Sequence, residues 1–344
     1  MMRRAVLRTL VLSSFALATA SAQDVAELRL KLNTADGSPI GGALVALLDS
    51  RDTVLIEGLT SEAGTRLLHA PRGAYRLRVR RIGYLPFVSR EFSLLRSQEM
   101  TVQVESPRVM LESIVVNSRS QCKRNDPNAG ALATVWDEVD KALRSSEITV
   151  QDLRGIGEAH VYRRTIDSAG VVIFGDSSVF EIKSRRPFGA VSPDSLARVG
   201  YVRGGLTEGW TYFGPDEAVL RSDQFAATHC FRLIRDAAHA GQIGVLFEPA
   251  PKRTVPDITG VLWVDEATSE LRNMQFRFVN AGALSQFDAG GFTRFRRVAS
   301  GAWIVDEWKL TAPRLEVRQF NPFRSRLVVT GRYDNGGGII APQR

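Results

Sequence analysis

Two short segments in the second half of the chain carry residues suited to chemistry. In "GVVIFGDSSVFEI", residues 170–182, an apolar run leads into Gly175-Asp176-Ser177, and further on Asp236-Ala-Ala-His239 supplies an acid and a base. A serine hydroxyl acts as a nucleophile only when a neighbouring base takes its proton and a third group orients that base. Ser177 with Asp236 and His239 has the residue types for this arrangement, which raises the hypothesis of a serine hydrolase.

The same residues resemble the GDS(L) serine hydrolases, where Gly-Asp-Ser is the nucleophile block and Asp-x-x-His supplies the base. That resemblance implies an α/β fold with the serine at the entry to a helix. The residues after Ser177, however, alternate as in a β-strand, and no Gly-x-Asn-Asp segment provides oxyanion donors. A motif counts only in its structural context, so the hydrolase ranks third among the functions considered. We expect Ser177 in the second strand of a hairpin turning at Ser168-Ala-Gly170, with Gly175-Asp176 at a bulge or break.

Other catalytic motifs are absent from the sequence. There is no P-loop, no Rossmann glycine fingerprint and no metal-ligand spacing. Carboxylates are scattered over turns or strand ends at Glu248, Asp257, Asp265 and Asp306, and no pattern singles out a glycosidase pair. The expectation is a protein that is not an enzyme and that has no cofactor and no metal site.

The N-terminus has the three regions of a secretory signal peptide. Three arginines precede a short apolar stretch, Leu10–Ala18, and Ala20-Ser21-Ala22 is a small-x-small cleavage site. The apolar stretch is shorter than the roughly 18 residues that a membrane-spanning helix needs. We therefore predict a signal peptide over residues 1–22, no transmembrane segment, and an exported protein that is periplasmic or associated with the outer membrane.

The charge is moderate and dispersed. The formal net charge is +8 over 344 residues, and loss of the three leader arginines would lower it to +5. Most basic residues are arginines interspersed with acids, which is typical of a solvated surface. Nucleic acid is not expected as a partner of an exported protein without a binding motif, whereas a basic sheet face that touches anionic lipid or polysaccharide stays open.

The chain has two cysteines, Cys122 and Cys230. In an oxidising compartment an isolated pair is most simply a disulfide. A free or intermolecular thiol is the first alternative. A metal site that recruits His229 is the second, although adjacent side chains of a strand point to opposite faces and a fourth ligand is missing.

Residues 25 to 104 read as seven short strands separated by turn signals, with no helical period, which favours a small antiparallel sandwich. The turns and strands follow the patterns Gly37-x-Pro39-Ile40-x-Gly42-Ala43-x-Val45, Thr60-x-Glu62-Ala-Gly64, Gly73-x-Tyr75-x-Leu77-x-Val79 and Ile82-Gly83-Tyr84-x-Pro86. These patterns resemble the carboxypeptidase regulatory-like domain, a transthyretin-like β-sandwich. A departure is Thr65-Arg66-Leu67, where an aromatic strand residue is common.

The resemblance implies an accessory domain over residues 23–107. In the family, such sandwiches are attached to enzymes, outer-membrane receptors and adhesins, and they are not themselves peptidases. A zinc carboxypeptidase needs H-x-x-E, and none of the four histidines is followed by Glu at that spacing.

A connector with one amphipathic helix is predicted over residues 108–147. Val109–Asn117 resembles the strand that follows such sandwiches in TonB-dependent receptors, but too little chain remains for their large barrel. Apolar residues at helical spacing between Leu132 and Leu143 predict a helix from about Gly130 to Arg144. Its apolar stripe is assigned to core contact rather than to a partner.

Residues 148–344 are predicted to form a curved antiparallel sheet with one or two helices. Hairpin turns are expected at Asp167–Gly170, Asp265–Ser269 and Ala299–Gly301. The pattern Gly260-x-Leu262-Trp263-Val264-Asp265-x-x-Thr268-x-x-Leu271, with Gly301-x-Trp303-Ile304-Val305 and Trp308, resembles periplasmic half-barrels of the lipoprotein-carrier type. That resemblance implies a concave sheet crossed by a helix, with an apolar groove.

Three tryptophans, Trp263, Trp303 and Trp308, are candidates to line that groove, and ordinary sheet packing is the alternative. The sequence thus predicts a mainly β, exported protein that binds or scaffolds in the bacterial envelope without catalysis. Its partner would be an envelope protein. The second hypothesis is a carrier of lipid or another hydrophobic ligand in the half-barrel.

Overall fold

The computed structural model describes residues 25–104, 109–114, 129–183, 191–205, 208–282, 285, 287, 289–321 and 323–340. The predicted signal peptide, residues 1–22, and Cys122 lie outside the described residues. Within the described part the chain is mainly β, as predicted, and its sheets are largely antiparallel.

Eight strands form in the first region, one more than the sequence predicts. They are β1 Val25–Asn33, β2 Leu44–Leu48, β3 Val54–Leu59, β4 Thr65–Pro71, β5 Gly73–Arg80, β6 Phe87–Val88, β7 Phe92–Leu94 and β8 Gln98–Gln103. One sheet has the order β4-β1-β8 and the other β3-β2-β5-β6, with β7 also paired to β5. The additional strand is β6, which at two residues is too short to show an alternation in the sequence.

The two sheets share one core. Alternate residues of β1, among them Leu28 and Leu30, are buried against Leu47 of β2 and Leu77 of β5. This period of two is the one that the sequence shows. The prediction of a wholly antiparallel first domain is wrong, however, because β1 and β8 are parallel, with Leu28 opposite Gln98. Buried and exposed residues alternate in the same way in parallel and antiparallel pairs, so the alternation does not indicate strand direction. The direction of β8 relative to β1 depends on the path of β2–β7 between the two strands.

Helix α1, Ala129–Asp152, is about two turns longer than predicted at its C-terminal end. Ile148, Thr149 and Val150 are β-branched and lie in the part predicted to be a β-rich domain, but all three are buried in the helix. Burial against two neighbouring regions outweighs their modest helix propensity. The predicted boundary between residues 147 and 148 therefore falls inside α1.

The rest of the chain builds one nine-stranded sheet and a small hairpin. The strands are β9 Glu158–Asp167, β10 Val172–Glu181, β11 Val202–Gly205, β12 Gly209–Tyr212, β13 His229–Ile234, β14 Gln242–Pro249, β15 Asp257–Asp265, β16 Leu271–Val279, β17 Gly290–Arg297, β18 Trp303–Asn321 and β19 Arg324–Ile340. The large sheet has the order β10-β9-β19-β18-β17-β16-β15-β14-β13, and every neighbouring pair in it is antiparallel. The hairpin β11–β12 is a separate two-stranded sheet that is not paired with the large one.

Helix α1 packs on one face of this sheet. Val135, Val139 and Leu143 of the helix share a core with Phe247, Met274 and other sheet residues. The three hairpin turns expected from Asp, Ser and Gly clusters all form between paired strands.

Three further α-helices form in the described part of residues 148–344, where one or two were predicted. The three short ones are α2 Pro193–Val199, α3 Glu217–Leu220 and α4 Asp223–Thr228, and each begins at a side-chain cap, Ser192, Asp216 and Ser222 respectively. A helix of two turns or fewer is too short to show a hydrophobic period, so its capping residue is the only sequence signal that predicts it. Residues 224–239, which the sequence leaves ambiguous, divide into α4, β13 and a 3-10 turn, Ala237–His239.

Candidate ligand cavity

The proposed nucleophile and its base lie at opposite edges of the large sheet. Ser177 is on β10, and Asp236 and His239 follow directly after β13. Seven strands separate these edges, which is about 38 Å along the sheet at about 4.8 Å per strand. The structure therefore does not bring Ser177, Asp236 and His239 together.

Each of these residues has a local structural role. Asp236 caps the 3-10 turn by accepting a hydrogen bond from the Ala238 N–H, and the His239 ring stacks on Trp263 at a centroid distance of 3.9 Å. Ser177 is exposed on an edge strand and lies opposite Tyr162.

The expected bulge at Gly175-Asp176 is wrong in position. These two residues pair regularly with Arg164 and Arg163, and the register shift lies between Val172 and Phe174. The hairpin turn at Asp167–Gly170 does form; the Asp167 carboxylate accepts hydrogen bonds from the N–H groups of Ala169 and Val171.

The three candidate tryptophans do not line one groove. Trp263 is buried beneath His239, and Trp303 is buried with its backbone N–H directed at the Ser145 hydroxyl of α1, 3.2 Å away. Trp308 alone of the three borders a large cavity between the sheet and the segment before α3. For Trp263 and Trp303 the packing alternative is the one that the structure supports.

That cavity has a volume of about 760 Å³. One side of the cavity is formed by strands of the large sheet, on the face that carries α1. The other side is formed by the segment that leads from β12 into α3. Its walls are largely apolar and aromatic; they include Tyr212, Phe213, Met274, Phe276, Phe292, Phe295, Trp308 and Leu310. Arg163, Lys309, Asp216, Glu217 and Asn335 add polar groups to its lining.

Glu217 lies in the wall of this cavity, and its pKa is raised. Its carboxylate accepts a hydrogen bond from the Ser146 hydroxyl of α1 at 2.7 Å. Burial raises its pKa to about 7, against the smaller lowering effect of the Ser146 hydrogen bond. Near neutral pH this side chain therefore exists in both its neutral and its charged form.

Tyr212 presents a buried hydroxyl that has no hydrogen-bond partner among the described residues. Burial raises the pKa of this phenol to about 12, so it stays neutral and able to donate. Its ring packs beside Phe278 at a centroid distance of 5.4 Å. Tyr212 is one of the residues that line the cavity. Its hydroxyl oxygen is itself buried, and a buried hydroxyl left without a partner costs roughly 1–3 kcal/mol.

Local sequence explains how this wall is built. The Asp216 carboxylate accepts from the Val219 N–H at 2.8 Å and so begins α3, which places Glu217 beside α1. Gly214 lies beside Phe276, and a Cβ at this position would be in ordinary van der Waals contact with that ring, at 3.4 Å. The loop before α3, rich in glycine and aromatic residues, is not among the candidate site residues that the sequence indicated. The available signal was an aromatic run followed directly by a helix cap.

Cys230 is buried in β13. Because Cys122 lies outside the described residues, the Cys122–Cys230 disulfide stays a prediction.

Neither a metal-binding cluster nor a membrane-spanning helix occurs among the described residues. Among them, no group of three or more His, Cys, Asp and Glu side chains is arranged to hold a metal ion. None of the helices they form is both long and apolar enough to cross a membrane.

No protein-family model matches the chain, and no curated protein matches it. Among solved structures, the Bacillus anthracis TIE protein is similar at 13% identity with a TM-score of 0.21. The matched region covers 46% of this chain and 27% of that protein. A similarity of this size carries no argument for fold or function.

Proposed function

We propose that this chain is an exported binding protein of the bacterial envelope that holds a hydrophobic molecule with one polar end. The ligand would occupy the cavity between the large sheet and the segment before α3. The observation that carries the proposal is a cavity of about 760 Å³ with largely aromatic walls, with Tyr212 and Glu217 among its lining residues.

The size and lining of the cavity support a small-molecule ligand. Ligand sites in proteins typically have volumes of about 300–1,000 Å³ and apolar walls with a few placed polar groups. The volume of about 760 Å³ lies within that range. An extended acyl chain or a flat polycyclic molecule would bury its apolar surface against Phe276, Phe295 and Trp308.

Two polar groups would bind the polar end of such a ligand. The Tyr212 hydroxyl donates a hydrogen bond, and Glu217 donates one in its neutral form. Both favour a ligand with a carboxyl, carbonyl or hydroxyl oxygen. A purely hydrocarbon ligand would leave the Tyr212 hydroxyl without a partner.

The surrounding architecture is compatible with this function. In the proposal, β1–β8 are a carboxypeptidase-regulatory-like sandwich, and the nine-stranded sheet with α1 across one face is a half-barrel of the lipoprotein-carrier type. The proposed function includes no catalytic activity. Scaffolding of an envelope partner by residues 23–107 is the other hypothesis, and no feature of the surface of residues 25–104, the part of this region that the structure describes, favours a particular partner.

The direct test is binding of a fluorescent fatty-acid analogue, dansylated undecanoic acid, to the purified chain. The wild type should enhance and blue-shift the dansyl emission in a saturable way. Gly214→Leu places a side chain in the cavity, where its Cβ meets Phe276 at 3.4 Å and Leu310 at 3.8 Å, both tolerable contacts. This variant should bind roughly tenfold more weakly or worse, the ratio that about 1.4 kcal/mol represents.

Gly130→Leu is the matched control, because nothing lies within 4 Å of a Cβ at that exposed position on α1. It should bind like the wild type. Tyr212→Phe should weaken the probe roughly 2- to 10-fold, as expected for loss of one hydrogen bond. If the wild type does not bind the probe, or if Gly214→Leu folds and binds unchanged, the cavity is not a hydrophobic ligand site.

A further inference from the structure

The hairpin β18–β19 extends beyond the sheet to which it belongs. Its two strands remain paired from Trp308 opposite Gly337 to Asn321 opposite Arg324. On one side, the pairing of β17 with β18 stops at Thr311, and on the other side the pairing of β9 with β19 stops at Gly331. Residues 315–321 and 323–329 therefore form a two-stranded arm with no neighbouring strand on either side in the described part of the chain.

Aromatic side chains mark the end of this arm. Phe323 is 96% exposed and Phe320, at a bulge in β18, is 66% exposed. Val317 and Val329, further back, are also exposed. Isolated hairpins are marginally stable in water, and an exposed apolar cluster of this kind marks a surface that contacts something apolar.

The arm is also strongly basic. Arg318 lies directly opposite Arg326, and Arg324 follows at the tip. Like charges directly opposite each other destabilise a strand pair, so this placement is unfavourable unless an anion lies against it. Among the described residues, the one carboxylate on the arm, Glu316, pairs with Arg314 at its base, and none pairs with these three arginines.

A second apolar tip lies at the same end of the sheet. Asp167, at the end of β9, is paired with Gly331 at the base of the arm. The turn that follows it leads into Val172, Ile173 and Phe174 of β10, all more than half exposed. The two hairpin ends thus present apolar side chains from one end of the molecule.

We propose that this end of the molecule, led by the arm, docks on a membrane surface that contains anionic phospholipid. Aromatic side chains are favoured at the level of the headgroups, and arginines beside them would pair with lipid phosphates. The combination of two exposed phenylalanines with three unpaired arginines fits this surface better than a protein partner. Binding of another protein would rest on the unpaired strand edges and would not require the tip aromatics.

The test is flotation of the purified chain with vesicles of phosphatidylcholine and phosphatidylglycerol in equal parts, against vesicles of phosphatidylcholine alone. The chain should float with the anionic vesicles and remain behind with the neutral ones. The triple variant Arg318→Gln, Arg324→Gln, Arg326→Gln should lose binding on the order of 100-fold, about 5-fold for each arginine near the surface. Phe320→Ser with Phe323→Ser should lose binding at unchanged charge.

The matched control is Arg90→Gln, Arg96→Gln, Arg154→Gln, which removes the same charge from exposed positions away from the arm. It should retain most of the binding. Circular dichroism and thermal unfolding establish that each variant is folded. Absence of flotation with anionic vesicles, or equal losses in the arm triple and the control triple, would overturn the proposal. So would flotation that the phenylalanine variant leaves unchanged.

Discussion

Glu138 Oε1 and Lys141 Nζ lie 2.7 Å apart, both buried, where α1 meets the first region. The same two side chains hold the turn after β5. The Gly83 N–H donates to the Glu138 carboxylate at 2.7 Å, and Lys141 donates to the Tyr84 carbonyl at 2.8 Å. Burial raises the pKa of Glu138, and the nearby Lys141 opposes that rise. The pair therefore joins α1 to the first region through buried polar contacts, and the two are expected to unfold together.

Replacing one partner of this pair should be severely destabilising. Lys141→Met leaves the Glu138 carboxylate buried without its cation, and removal of one partner from a buried ion pair costs roughly 3–5 kcal/mol. Urea unfolding followed by fluorescence would measure the loss. Arg29→Met is the control, because the Arg29–Glu99 pair is exposed and such pairs contribute about 0–1 kcal/mol. Equal effects of the two substitutions would contradict the role given to Lys141.

A close glycine contact between the two regions gives a second prediction. Gly42 has φ +68°, and a Cβ there would overlap the carbonyl group of Gly301 in the turn between β17 and β18. Gly37 has φ +86° with nothing within 4 Å of a Cβ. Gly37→Ala should cost roughly 1–2 kcal/mol from backbone conformation alone, and Gly42→Ala clearly more. The difference between the two, measured by urea unfolding, reports the contact with Gly301. Equal losses of unfolding free energy in the two variants would mean that the turn at Gly301 moves to accommodate the added methyl group and that the contact does not contribute to stability.

Local turn chemistry made much of the fold predictable. Asp167–Gly170, Asp265–Ser269 and Ala299–Gly301 were all expected as hairpin turns, and each connects antiparallel neighbours. The alternation of β1 likewise identifies its buried face. These signals depend on a few consecutive residues, so they can be read from the sequence without knowledge of the rest of the chain.

Features that depend on distant parts of the chain could not be predicted in this way. The C-terminal turns of α1 are helical because Ile148 and its neighbours are buried among other elements. The cavity unites Tyr212, Glu217 and Trp308, which come from the small hairpin, a one-turn helix and a strand of the large sheet. No sequence period connects such residues. All three tryptophans were predicted to line the groove because of their residue type. One of them borders the cavity, and the other two pack within the sheet.

The separation of Ser177 from His239 makes a prediction about hydrolase probes. A serine on an exposed edge strand, seven strands away from the nearest proposed base, keeps the low reactivity of an ordinary hydroxyl. We expect no fluorophosphonate label on Ser177 in the folded protein, as judged by peptide mass spectrometry. Ser177→Ala serves as the control for site assignment, and a label on the wild type that disappears in this variant would restore the hydrolase hypothesis.

Glu217 should make stability fall as the pH rises towards neutrality. Its pKa is raised from 4.5 to about 7 by burial, so between these values the folded state holds a proton that the unfolded chain has released. The contribution of the neutral acid is fully present below about pH 4.5 and is lost as the pH approaches and passes 7. Glu217→Gln keeps an acceptor for the Ser146 hydroxyl but does not titrate. Urea unfolding at a series of pH values should therefore show the wild type losing stability relative to Glu217→Gln across this window and a constant difference above it. Parallel profiles for the two proteins would show that Glu217 titrates as an ordinary exposed carboxyl.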